Sequence, residues 1–337
     1  MIVRDCTSTY QRLRDHQELV IASAVSEVDE ICADLPPLRD AVLRLLNHDR
    51  SRENPLRLLA WPVAGAIAGD PDVALPVCVM SRLWWAGAET LDDVNDGAFE
   101  SGEVGLSADE ATIASTACIA LLPQAIIARQ EFPAAIEFDL TRELVNTSLR
   151  SANGQLVDVS AFVPDFSRAQ VMKSYAGKSG ASYARDVTMT ARMLDVGTEI
   201  LRGWRAFGQM YGVLQQLVND RASLTSNEGG DLANGTRTLL FAHSWENEDP
   251  SNRDILRSLQ RRSRSDMDAR SELYDRLTNP TLIAAYNRRI AVNGYRLSTL
   301  LASLVEQSEY CDLVSWMITT ITEKAQIPQL SVGSGKV

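Results

Sequence analysis

Apolar residues recur at spacings of three and four along nearly all of this chain, and alternating runs rich in β-branched residues are almost absent. That period places one apolar stripe on each successive helix, so the sequence predicts an all-α fold. Breakers divide the pattern at Pro36-Pro37, Asn54-Pro55, Asp70-Pro71, Pro133 and Pro164. Helices are expected over 55–69, 73–96, 133–162, 167–194 and 198–224, with further helices to the C-terminus. Ser107 and Glu110 form a capping box for another. The stretches 97–106 (GAFESGEVGL) and 226–236 (SNEGGDLANGT) are expected to be loops. Roughly ten to twelve helices with short connections, no composition shift and no fixed repeat predict a single domain over 1–330, with a frayed tail at 331–337.

The 337 residues include 44 acidic and 33 basic side chains, a net charge of −11. A surface of that sign repels phosphate backbones and anionic lipid, which disfavours nucleic acid as a partner. The first residues lack an apolar core for a signal peptide, and no uncharged apolar run is expected to reach the ~18 residues of a spanning helix. Stable membrane insertion is therefore not expected, and a cytoplasmic location is. The five cysteines are scattered without a C-x-x-C pair, and the three histidines are far apart. That pattern disfavours disulfides, a zinc site and a Ser-His-Asp triad.

The sharpest motif is LDDVNDG. Asp92 and Asp96 are four apart, hence neighbours about 5–6 Å apart on one helix face, with Asp93 beside them. They sit at the negative end of the helix dipole, an arrangement that calls for a cation. Carboxylates of this kind suit Mg²⁺, which bridges to substrate phosphates. The preceding CVMSRLWWAGAET is too apolar for a fully exposed helix. A second helix, AFGQMYGVLQQLV, runs into Asn219, Asp220 and Ser223, again oxygen donors. Between the two lie NGQLVDV, with Gln155 and Asp158 on one face, and YAGKSGASY, with Lys178 among small residues. Arg237 follows the glycine-containing loop.

In this order and spacing the segments resemble the polyprenyl synthase family of trans-prenyltransferases and, more loosely, the class I terpene synthases. The similarity runs over 56–240. LDDVNDG matches the first aspartate-rich motif, NGQLVDV and GKSG the mid-chain motifs, YGVLQQLVNDRASL the second aspartate-rich helix, and GGDLANGTRTLL the loop after it. The resemblance implies an isoprenoid-synthase helical bundle around a central apolar cavity, and an allylic prenyl diphosphate substrate. It implies about three Mg²⁺ ions with substrate bound, held by Asp92, Asp96, Asn219, Asp220, Ser223 and Glu228, and a homodimer. Asp92, Asp93, Asp96 and Lys178 take the catalytic roles, Lys178, Arg237 and Arg57 bind diphosphate, and Gln155 and Gln216 border the substrate.

The departures from the family pattern are as informative. The Gly-Gly-Lys-Arg stretch that serves isopentenyl diphosphate reads RENPLR here, leaving Arg52 and Arg57. Trp85 stands where a histidine or glutamine is usual, and GAFESGEVG lacks the arginine pair that follows the first motif. The second motif is Asn219-Asp220-x-x-Ser223, similar to that of terpene synthases, with Asn227 where their glutamate stands and Glu228 one residue late. The allylic site therefore looks kept and the isopentenyl diphosphate site dismantled. The expected activity is ionisation of a C15 or C20 allylic diphosphate followed by cyclisation or elimination. Transfer to an acceptor other than isopentenyl diphosphate, and a non-catalytic partner subunit, are the alternatives. Trp84, Trp85, Gly87 and Ala88 are expected to wall the prenyl pocket, with Trp84 as its floor.

Overall fold

Helix α10 organises the molecule. In the computed structural model, which describes residues 7–48, 54–159, 167–224, 230–236 and 238–324, every residue from Ala181 to Ala191 is buried. Arg52, Asn227, Glu228, Arg237, the Asp158 side chain and the expected tail lie outside the described residues. The described residues contain seventeen α-helices and no strand. They begin with α1 (Thr7–Ile31), α2 (Pro36–His48), α3 (Ala60–Ala68), α4 (Leu75–Asp96), α5 (Ser101–Val104) and α6 (Ala108–Thr116). The middle of the chain supplies α7 (Leu122–Arg129), α8 (Ala134–Val159), α9 (Arg168–Tyr175), α10 (Ala181–Met193) and α11 (Thr198–Ser223). Then come α12 (Asp231–Asn234), α13 (Leu239–Asn247), α14 (Pro250–Arg262), α15 (Met267–Leu277), α16 (Pro280–Leu304) and α17 (Glu309–Lys324).

The number exceeds the expectation for two local reasons. Single-turn helices α5 and α12 form inside the two stretches expected to be loops, and each ends on a glycine of positive φ, Gly105 and Gly235. In addition, π-turns at Ala117–Leu121 and Ala176–Gly180 interrupt two long helices. The first lies just ahead of Pro123, which cannot donate a helix hydrogen bond. The capping box forms as read: Ser107 Oγ accepts the Glu110 amide at 3.2 Å, and Glu110 Oε2 accepts the Ser107 amide at 2.7 Å.

Around α10 pack α11, α8, α3 and α4. Although central, α10 is not apolar. Its Arg185 and Asp186 pair at 2.6 Å, Ser81 of α4 donates to Asp186 at 2.6 Å, and Thr190 returns its hydroxyl to a backbone carbonyl. A buried charge is tolerated where it is paired and hydrogen-bonded, and the Ser81–Asp186 bond ties α4 to α10. Burial pushes the Asp186 carboxyl up, against the pull of Arg185. The first and last of these helices meet as well: Thr9 of α1 donates to Glu309 of α17 at 2.9 Å, and Arg12 pairs with Glu309 at 3.0 Å.

One expectation is corrected. The stretch Ala108–Arg129 is, by length and composition, long and apolar enough to cross a membrane. Serine, threonine and proline dilute its apolar residues, which masks the run. Half of its most apolar window is buried inside the fold, where it packs on α4.

Candidate active site

The first aspartate motif ends α4 because Gly97, at φ 70°, takes the left-handed conformation that stops the helix. Asp92 then meets two other elements. Gln155 of α8 donates to its Oδ1 at 2.8 Å, and Lys178 Nζ approaches both oxygens, at 3.0 and 3.2 Å. Glycine makes this meeting possible. A Cβ on Gly154 would lie 2.6 Å from the Lys178 amide, and one on Gly177 3.1 Å from the Arg150 carbonyl. Two bare backbones therefore cross in contact and carry Gln155 and Lys178 to the same carboxylate. Lys178 lies in the π-turn, a distortion frequent at functional sites. Its charge offsets the carboxylates gathered at a helix C-terminus.

At the facing helix end the second motif splits in three directions. Asn219 is exposed on the cavity. Asp220 turns inward, only 2% exposed, and accepts from Tyr175 Oη, from Tyr286 Oη at 3.1 Å and from Gln216 Nε2 at 3.0 Å. Burial raises its pKa to about 7, Asp231 adding to the rise and the three side-chain donors opposing it. Ser223 does not border the cavity; its hydroxyl goes to the Asp220 carbonyl at 3.0 Å and to Asp231. The helix thus spends two of its three expected metal ligands on internal bonds. Asp231 and Asn234 of α12 stand on the rim instead, and Asn234 Nδ2 reaches Asp96 Oδ2 at 3.1 Å. That bond joins the end of α4 to α12.

A cavity of about 1110 Å³ runs inward from this rim. Asp92, Asp96, Asn219, Asp220, Lys178, Gln155, Gln216, Arg57, Trp84, Trp85 and Ala88 all border it. Besides Ser223, two expected residues do not. Gly87 faces away, where a Cβ would meet the Ser115 carbonyl at 2.8 Å and Cys118 at 2.9 Å, so it serves helix packing. Asp93 borders a smaller cavity of about 250 Å³ on another side of α4, with His48 and Glu103. In the large cavity, Trp84 and Trp85 meet edge-on at 5.0 Å, and Tyr183 continues the aromatic wall 5.5 Å from Trp85. Arg57 is ion-paired with Glu89, and its guanidinium lies 4.5 Å from the centre of the Trp85 ring.

Glu89, Asp231, Asn234 and Tyr175 were not singled out from sequence. Glu89 had a signal, since it lies three residues before Asp92 on the same helix. Asp231 and Asn234 belong to a separate short helix that no periodicity links to α11.

The donor set fits Mg²⁺: carboxylate and amide oxygens face each other across the rim, with no thiol or imidazole among the cavity-lining residues. Among the described residues no three acidic, histidine or cysteine side chains form a ready-made cage. That also suits Mg²⁺, which takes one or two carboxylates and completes its shell with water and phosphate oxygens.

The family model described as Polyprenyl synthetase matches residues 106–277, just over half of the chain, and this protein belongs to that family. The match begins C-terminal to LDDVNDG. No protein of curated function matches the sequence. Among solved structures, geranylgeranyl pyrophosphate synthetase from Pyrococcus horikoshii Ot3 is similar at TM-score 0.79 and 19% identity, covering 93% of this chain and 98% of its own. Polyprenyl synthetase from Streptomyces coelicolor A3(2) gives 0.74 and 16%, covering 94% and 99%. The Corynebacterium glutamicum geranylgeranyl pyrophosphate synthase, solved with isoprenyl diphosphate and magnesium, gives 0.75 and 15%, covering 91% and 98%. At these identities the likeness establishes the shared helical fold.

Proposed function

We propose that this protein is a Mg²⁺-dependent prenyltransferase that ionises a C15 or C20 allylic diphosphate and passes the prenyl group to an acceptor other than isopentenyl diphosphate. The observation that carries the reading is the convergence of Asp92, Asp96, Asn219 and Lys178 on one rim above an aromatic-walled cavity. Family membership favours transfer over the cyclisation expected from sequence. Asp92 and Asp96 on one wall and Asn219 and Asp231 on the other would hold the ions, three with substrate bound. When bound, Mg²⁺ supplies positive charge to the oxygens of the leaving diphosphate.

The chain's own groups do the rest. Lys178, already within 3.2 Å of both Asp92 oxygens, carries three donors and shares them with the diphosphate as it arrives. As the C1–O bond breaks, its electron pair leaves with the diphosphate and the allylic fragment becomes cationic. Trp84, Trp85 and Tyr183 face it with π density that attracts a cation. Arg57 is the only described residue left of the basic stretch that would hold a second diphosphate. Glu89 already neutralises it and Trp85 covers it, which supports exclusion of isopentenyl diphosphate.

Incubation with Mg²⁺ and C10, C15 and C20 allylic diphosphates, with and without isopentenyl diphosphate, tests the reading by mass spectrometry. Diphosphate release that stops in EDTA and no five-carbon-longer product are expected. Elongation at a rate comparable with allylic turnover would overturn it, and hydrocarbon products formed without any acceptor would favour cyclisation.

The proposal extends to a homodimer. Phe138, Val145, Leu149 and Leu156 lie seven, four and seven apart along α8, one face of a helix, and all four are exposed. Exposed Ile113 and Leu121 stand on the neighbouring α6–α7 stretch. An uncovered apolar row of this length marks an interaction surface.

A further inference from the structure

One cation on the cavity rim comes from outside every motif. Arg264 lies in the turn between α14 and α15, and its side chain borders the cavity beside Asp231, Asn234 and Gly235. Two side chains clamp that turn to the rim, and a third braces it from α15. Gln260 donates to the Gly235 carbonyl at 2.9 Å, Ser263 to the Leu232 carbonyl at 2.8 Å, and Arg270 Nε to the Ser263 carbonyl at 2.8 Å. All three donors are buried, none more than 8% exposed. Hydrogen bonds of this kind hold hardest where water cannot compete, so the turn is fixed relative to α12.

The loop beneath is shaped for the arginine. Gly235 adopts φ 63°, and a Cβ there would stand 2.9 Å from Arg264 Nε. Any other residue would push the side chain off the loop. The nearby Arg262 is held by Asp266, whereas Arg264 has no such partner among the described residues. An exposed cation on a rigid mount, aimed at a rim rich in carboxylates and amides, is a binding group awaiting an anion.

We propose that Arg264 binds the diphosphate at the cavity rim, as a guanidinium fork delivered by the C-terminal half of the chain. It stands in for the arginine pair missing from GAFESGEVG after the first motif. The inference rests on the reading that this cavity takes an allylic diphosphate. Guanidinium groups suit the task because their planar donors engage two phosphate oxygens at once. Lys178 offers a single ammonium group beside Asp92, so the two cations come to the same group from different elements.

Titration calorimetry of the full chain with inorganic pyrophosphate in Mg²⁺ tests this, alongside steady-state turnover of a C15 allylic diphosphate. Arg264→Ala is expected to weaken pyrophosphate binding about tenfold, the scale of one charge-assisted contact. Arg264→Lys keeps the charge and loses the fork, and falls between. Arg261→Ala removes the same charge from an exposed site on α14 that does not border the cavity, and should bind as the parent does. All three should melt with the parent, since neither side chain is buried. Pyrophosphate binding by Arg264→Ala within twofold of a binding parent would overturn the role of Arg264 and leave the active-site reading standing. A parent that neither binds pyrophosphate with Mg²⁺ nor turns over any allylic diphosphate would overturn that reading and this inference with it. Loss of binding in Arg261→Ala equal to that in Arg264→Ala would reduce the effect to net charge and also overturn the assignment.

Discussion

Asp92 is the residue on which three elements agree, and its replacement separates catalysis from folding. In Asp92→Asn the amide keeps the shape but loses the charge that faces Lys178. That pair is partly exposed, so its loss should change stability by less than about 1 kcal/mol. Turnover should fall by about 10²-fold or more, the scale of removing one preorganised electrostatic group. Parallel thermal melts and diphosphate-release assays check both halves, and an active variant would remove Asp92 from the site. His16 offers a second test at this scale. It is 5% exposed, its Nδ1 3.5 Å from Asp72 and its ring 5.4 Å from Trp61. Burial lowers its pKa to about 4, outweighing the attraction of Asp72. The unfolded chain takes up a proton near pH 6.5 that the folded chain refuses, so His16 makes stability fall as pH drops through that window. Urea denaturation should show roughly 2 kcal/mol lost through this group between pH 8 and pH 5, and His16→Gln should flatten that part of the slope.

At the scale of elements, the crossing of α8 with the π-turn does more than pack. A methyl at Gly154 would press on the Lys178 amide at 2.6 Å and the Gly177 carbonyl carbon at 2.9 Å, both backbone atoms that cannot turn aside. Gly154→Ala should therefore lower stability by about 1–3 kcal/mol and move Gln155 and Lys178 off Asp92. Turnover should drop further than the melt alone explains, which activity measured well below the melting temperature would reveal. The longer helices were legible because each obeys a local rule, such as apolar period, capping box, proline start or glycine stop, whereas the one-turn α5 and α12 lie in stretches expected to be loops. LDDVNDG was legible because both of its spaced carboxylates, Asp92 and Asp96, lie on one helix. What was not legible depends on contacts between elements distant in sequence. Nothing local says that Gly87 faces Cys118, that Asp220 turns toward Tyr286, or that α12 brings Asn234 to Asp96. The split second motif is the clearest case, since Asn219 and Asp220 are adjacent yet Asn219 is exposed on the cavity while Asp220, at its edge, is buried against Tyr175, Tyr286 and Gln216.

For the whole molecule the telling feature is where the apolar surface is left uncovered. The chain carries a net charge of −11, which pushes copies apart at long range. The α8 row offers the short-range attraction to oppose it, with Phe138 65%, Leu149 66% and Leu156 67% exposed. A self-complementary contact along such a row closes as a two-fold pair, because the same patch serves both partners. Sedimentation of the parent should therefore report a dimer at micromolar concentration. Phe138→Glu with Leu149→Glu should report a folded monomer, since neither side chain is buried and each adds a like charge across the symmetric contact. A monomeric parent would remove the dimer. The variant also probes function, because α8 carries Gln155 on the same helix as the row. Neither substituted residue borders the cavity. If dimerisation steadies α8, turnover should fall several-fold in the monomer while pyrophosphate binding at the rim changes less.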